Sequence, residues 1–207
     1  MVKARILALL AVASLLGVGT SHAVPVIDQN NAAAGGAFCE IKRSDDGTLN
    51  YCGQSFQQTN TSIAGAGIFI DPTSTGAGTI TFSIYSTYQG GLSGLIATGT
   101  SGDVNGASGW VDVFWTPVAI TPSITYYLVL TSGLSGLLVS QDSSGDSGGL
   151  YSPGNALANL KASDYAKYDL MFRTYYDRTA AVPEPGTLAL LALGLAGFGL
   201  SRRRKAN

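Results

Sequence analysis

Histidine is nearly absent from this 207-residue chain, and the single copy, His22, falls in a leader that the surrounding residues mark for removal. The exported protein then has no imidazole for a Ser-His or Cys-His nucleophile or for an ordinary zinc site, which excludes most hydrolase mechanisms. Glutamate is scarce as well, with Glu40 the only one between residues 24 and 182. Charged residues make up 12% of the chain, and the basic ones are concentrated at its ends. Lys3 and Arg5 stand at one terminus and Arg202, Arg203, Arg204 and Lys205 at the other; residues 24 to 182 keep six basic side chains against twelve acidic ones, a net of −6. A domain without a basic stripe lacks the electrostatic term that dominates nucleic-acid binding, so a neutral or cationic partner is expected. Neither a metal nor a cofactor is expected.

What is present begins with two targeting devices. Lys3 and Arg5 precede an uncharged run from Ile6 to Leu16, and small residues follow, with Ser21 and Ala23 at the −3 and −1 positions of a cleavage site. This pattern is a secretory signal peptide cut after Ala23, because a membrane-spanning helix needs about 20 apolar residues. At the other end Pro183-Glu184-Pro185-Gly186-Thr187 leads into the uncharged run Leu188 to Leu200 and then Ser201 and the basic cluster Arg202 to Lys205. A helix of that run rises about 20 Å against a hydrocarbon core of about 30 Å, a short transmembrane helix suited to temporary membrane residence. The positive cluster keeps the tail cytoplasmic while residues 24 to 182 are exported, which is the topology a cleaved signal also gives. Pro183 and Pro185 hold the backbone extended and stop the helix from propagating outward, presenting Glu184 on an accessible strand.

In Pro183-Glu184-Pro185, the short Leu/Ala/Gly-rich helix and Arg202, Arg203 and Arg204, the chain resembles the PEP-CTERM sorting-domain proteins. The resemblance implies a Gram-negative, exopolysaccharide-producing bacterium. It also implies recognition by an exosortase, a membrane cysteine transpeptidase that processes the tail near the Pro-Glu-Pro motif, with the inner membrane as a transient location.

Three segments follow from these signals: a signal peptide at 1–23, an exported domain at 24–181 and a sorting or anchor segment at 182–207. In Thr79-Ile80-Thr81-Phe82-Ser83-Ile84-Tyr85 apolar and polar residues alternate, the mark of a half-buried strand. Ser62 to Ile70, Trp110 to Trp115, Ile124 to Leu130, Gly136 to Ser140 and Leu170 to Tyr176 are further β-rich runs, separated by segments dense in Gly, Ser, Asn, Asp and Pro. Short strands with turn chemistry between them predict an all-β, antiparallel, jelly-roll-like β-sandwich. The middle of the chain is loosely similar to the ectodomain common in the same family, in Gln54-Ser55-Phe56, Ile63 to Ile70, Thr81 to Tyr85, Trp110, Thr125 to Leu128 and Asp169 to Thr174.

Cys39 and Cys52, the only cysteines, flank the turn residues Asp45-Asp46-Gly47-Thr48, and in an oxidising exterior they are expected to pair as a disulfide. Most aspartates occupy turn-like settings, among them Asp71-Pro72, Asp103 beside Gly102, and Asp142 with Asp146, where such side chains usually cap backbone. Asp142 to Asp146 invites a calcium reading but departs from the EF-hand loop, with Pro153 where the closing Glu should stand, so a solvated loop is expected. Asn60-Thr61-Ser62 matches a glycosylation sequon, for which the bacterial setting leaves no use.

Strict alternation in Trp110-Val111-Asp112-Val113-Phe114-Trp115 places Trp110, Asp112 and Phe114 on one side and the core set Val111, Val113 and Trp115 on the other. An aspartate between two exposed rings suits sugar stacking with hydroxyl recognition, which makes these three the candidate carbohydrate contacts. Three functions are compatible with the sequence. The first is a noncatalytic exported surface or extracellular-matrix protein, with weak binding of exopolysaccharide or another surface glycan. The second is an extracellular carbohydrate-active enzyme, for which Asp112 is the one carboxylate worth testing, although no second carboxylate is paired with it in sequence. The third is a membrane-anchored periplasmic adaptor binding another protein through a sheet edge. The first is the expectation taken forward.

Overall fold

Ile80, Phe82 and Ile84 are completely buried, while Thr81, Ser83 and Tyr85 between them keep solvent contact. Period-two burial of this kind recurs through a computed structural model that describes residues 24–32, 36–41, 51–88, 92–105, 108–133, 135–142, 151–158 and 168–178. The expected signal peptide with Ala23, the sorting segment with Pro183, Glu184, Pro185, Arg202, Arg203 and Arg204, and Asp146 all lie outside the described residues. Among the described residues there are only strands and turns, and no helix is long and apolar enough to cross a membrane.

The strands are β1 (Pro25–Asn31), β2 (Ala37–Glu40), β3 (Cys52–Gln57), β4 (Ser62–Ile70), β5 (Ala77–Gly78), β6 (Thr81–Thr87) and β7 (Ser93–Thr100). They continue as β8 (Val104–Asn105), β9 (Gly109–Ala119), β10 (Thr125–Thr131), β11 (Leu138–Asp142), β12 (Ala156–Ala158), β13 (Asp169–Leu170) and β14 (Phe172–Asp177). Every ladder between them is antiparallel. One sheet runs β1-β14-β4-β11-β13, with β9 also on β4 and β2 on β11; the other runs β12-β3-β10-β6-β7; β5 and β8 form a short ribbon.

The pairing is nested. β6 and β7 are joined directly, β4 pairs β9, β3 pairs β10, and β1 pairs β14, so the first half of the chain runs antiparallel beside the second. The inward faces of the two sheets meet in one core. Ile63, Ala66, Ile68, Ile70, Val113, Val139 and Phe172 come from one side, and Cys52, Phe56, Phe82, Ile84, Leu128 and Leu130 from the other. Burying one such large side chain stabilises by about 1.5–3 kcal/mol. The Cys39–Cys52 disulfide is present, with 6.0 Å between the Cα atoms, and it links β2 of one sheet to β3 of the other.

Two irregularities set which side chains face outward. Between Ile63 and Gly65 of β4 the register with β9 slips from Val118 to Phe114. The extra residues on β9 include Pro117, which cannot donate to a ladder. Across the shift Ile63 and then Ala66, Ile68 and Ile70 all face the core, and Trp115, on the inner face with Val111 and Val113, donates its Nε1–H to the Ile63 carbonyl at 3.2 Å. On β1 the register skips Asp28 between Ile27 and Gln29, and a bulge of this kind re-aims the extra side chain.

Asp142 corrects the solvated-loop expectation. It is a buried residue at the end of β11, directly opposite Asp169 of β13. β1 and β7 lie outside the β-rich runs of the sequence.

Candidate functional site

Trp110, Asp112 and Phe114 share the outer face of β9, and Val113 is buried on the inner face with Val111 and Trp115 packed against the core. The geometry adds partners that alternation alone does not supply. Gly67 of β4 pairs with Asp112 on one side and Arg173 of β14 on the other. Across this glycine Arg173 donates from Nε to Asp112 Oδ1 at 2.7 Å and from Nη2 to Asp112 Oδ2. A methyl group at Gly67 would collide with Asp112 Oδ1, so only glycine leaves room for the pair to close over the strand. Tyr175 Oη–H donates to Asp112 Oδ1 at 2.8 Å. Its ring packs edge-on against Phe114, with centroids 4.9 Å apart.

Both carboxylate oxygens of Asp112 are therefore engaged. Asp112 holds Arg173 and Tyr175 in place. Hydrogen bonding to Asp112 raises the Arg173 pKa above the ordinary guanidinium value despite partial burial. Burial, with help from the same carboxylate, raises that of the Tyr175 phenol. The Arg173 guanidinium carbon lies 4.2 Å from the centroid of the Trp110 ring, a cation–π contact, and Phe69 meets Trp110 in a T-shaped arrangement at 5.7 Å. Phe114 remains 52% exposed.

Trp110 also belongs to the wall of a separate open cavity of about 320 Å³, lined by Gly102, Asp103, Val104, Asn105, Ser108, Gly109, Trp110 and Val111. It lies where β8 and the start of β9 come together. A second concavity of about 300 Å³, beside β3 and β10, is lined by Ser55, Thr125, Tyr127, Asn155 and their neighbours.

Three other carboxylates, Asp28, Asp71 and Asp169, are held inside hydrogen-bond networks of the fold. Burial raises the Asp28 pKa, but hydrogen bonds from Thr59, Gln29 and Asn60 outweigh it and hold the value below the ordinary one. The Asn60 amide of the sequon is one of those donors. Asp71 behaves alike: Thr73 N–H at 2.8 Å, the Thr73 hydroxyl and the Ser140 hydroxyl at 3.0 Å overcome the cost of burial. This is the backbone-capping turn expected of Asp71-Pro72. Asp169 is different. Burial and the neighbouring Asp142 raise its pKa against the opposing bonds from Gln54 Nε2 at 2.7 Å and Tyr151 N–H at 2.9 Å. The Tyr151 phenol is pushed up to about 12, chiefly by burial. Gln58 is buried too, accepting from the Thr174 hydroxyl at 2.8 Å and donating to the Ser62 and Tyr175 carbonyls.

Among the described residues no three His, Cys, Asp or Glu side chains converge on a point that could hold a metal ion. Asp112 has no second carboxylate among its hydrogen-bonding partners. Sequence reading missed Arg173 and Tyr175 as partners of Asp112, being 61 and 63 residues away.

No curated protein and no solved structure matches the chain significantly. Residues 181–205 match the PEP-CTERM protein-sorting motif, the sorting signal of exported proteins handled by an exosortase.

Proposed function

We propose that this protein is a noncatalytic surface or extracellular-matrix component of a Gram-negative bacterium. It is exported, anchored transiently in the inner membrane and released by an exosortase-like transpeptidase. The observation that carries this reading is the sorting motif at 181–205. The sequence supports it from the other end with a leader cut after Ala23, and the division into residues 1–23, 24–181 and 182–207 follows. Engagement of both Asp112 oxygens by Arg173 and Tyr175 favours a binding role over hydrolysis, since a general acid or nucleophile must be free to reach its bond.

The exported domain is best read as a jelly roll. The nested pairs β6/β7, β4/β9, β3/β10 and β1/β14, distributed over two sheets, are what rolling one long antiparallel ribbon produces. On that scaffold the outer aromatic face with Trp110 and Phe114 offers weak contact to glycan, the partner that suits a matrix protein. Insertion of an epitope tag between residues 150 and 160, followed by intact mass and fractionation, tests the whole assignment. The expected product lacks residues 1–23 and the Arg202 to Lys205 cluster and is found outside the cell. A full-length cytoplasmic product would refute it.

A further inference from the structure

Trp110 is locked from two directions, by the Arg173 guanidinium 4.2 Å from its ring centroid and by the edge-on Phe69 ring. A ring already fixed in place loses little entropy when it receives a ligand. The same ring stands on the wall of the cavity of about 320 Å³, a size within the range of small-molecule sites. Val104, buried, and Val111, packed on the core, anchor the cavity to the body of the fold. The polar lining is Asp103, Asn105 and Ser108, all exposed. A Cβ added at Gly102 or Gly109 would meet nothing within 4 Å, so the space over both is open.

We propose that this cavity is a subsite for one neutral hexose unit of a glycan, with the apolar face of the ring on Trp110 and its hydroxyls on Asp103, Asn105 and Ser108. A carboxylate accepts, an amide does both, and a hydroxyl does both, which matches the mixed donor and acceptor character of vicinal sugar hydroxyls. Among the described residues no cation lines the cavity, and Arg173, in contact with the Trp110 ring, is paired with Asp112. Asp103 opposes a uronate or a sulfate, as does the net −6 of residues 24 to 182. The inference rests on the glycan-contact part of the proposed function and moves its centre from Asp112 to the far side of Trp110.

The test is calorimetric titration of the mature protein with cellotetraose, mannotetraose, galactotetraose and trigalacturonate, with tryptophan fluorescence alongside. Trp115, the other tryptophan, is tied to the Ile63 carbonyl, so a saturable change reports Trp110. At least one neutral tetrasaccharide is expected to bind, trigalacturonate is not, and Asp103→Ala and Asn105→Ala each weaken binding about tenfold while Phe38→Ala, at an exposed ring on β2, leaves it unchanged. Both rim residues are exposed, so the variants keep the fold. Binding lost in Phe114→Ala but kept in Asp103→Ala would overturn the cavity while the glycan reading stands. Preference for trigalacturonate would overturn the ligand class, and no binding to any of the four would overturn the subsite and the glycan reading together.

Discussion

At Asp28 and Asp71 the carboxylate is surrounded by donors, and at Asp169 it is buried opposite another acid, so their responses to pH run in opposite directions. For the first two the folded pKa lies below the ordinary 3.8. Their stabilisation is complete above the unfolded value and is lost as pH falls through the folded one. For Asp169 the folded value lies above 3.8, so its contribution is complete below the unfolded value and is lost as pH rises through the folded one. Asp169→Asn is therefore expected to flatten the decline in urea midpoint that the wild type shows on leaving acid pH, while Asp28→Asn and Asp71→Asn flatten the decline in strong acid. Asp112→Ala removes the acceptor of three donors in a partly exposed setting; a loss of about 1–2 kcal/mol in urea unfolding is expected. Of these roles, the Asp71 turn was legible because the side chain caps a backbone two residues on. The Asp112 pair was not, because nothing in a local pattern points to an arginine 61 residues away.

Among the elements, β6 shows why alternation is a strong signal: a half-buried strand writes its facing into every second residue. The strands that escaped sequence reading fail that condition. β1 reads Pro-Val-Ile-Asp-Gln-Asn-Asn and is held by side-chain bonds such as Asn31 Nδ2–H to the Leu170 carbonyl at 3.0 Å, which hydrophobic patterning does not register. β7 carries Gly94, at a left-handed φ of +67°, and Gly99, where a Cβ would strike Val113, so the first answers to backbone conformation and the second to close packing. The Ser- and Gly-rich residues after Asp142 predict a loop there, yet the strand extends to include it. Gly67→Ala is expected to cost about 1–3 kcal/mol through displacement of the Asp112–Arg173 pair, measured by the shift in urea midpoint. The sheet-to-sheet disulfide closes a segment of 13 residues, and C39A/C52A should lose about 3 kcal/mol in the chain-entropy account, read from urea unfolding with a steeper slope as the unfolded chain expands.

For the whole molecule, the nesting of first half against second makes the outermost pair, β1 and β14, close the structure last in sequence terms, with Pro25 directly opposite Asp177. Removing residues 24–31 would strip β14 of one neighbour and leave it as an unprotected edge; concentration-dependent association, followed by light scattering, is the expected result. The all-β class was readable from turn chemistry and β-rich runs, but the strand order was not, since it depends on pairings more than a hundred residues apart, such as Gln29 with Thr174.

β14 sits between β1 and β4, and its last residue is the point at which the chain leaves the described sheet toward the sorting segment. Tension applied through that exit runs along a strand flanked on both sides. It must slide two rows of hydrogen bonds at once instead of peeling them one by one. A tether attached there would pull on a strand held by neighbours on both sides, a property that would serve the proposed processing of the tail with the domain still folded.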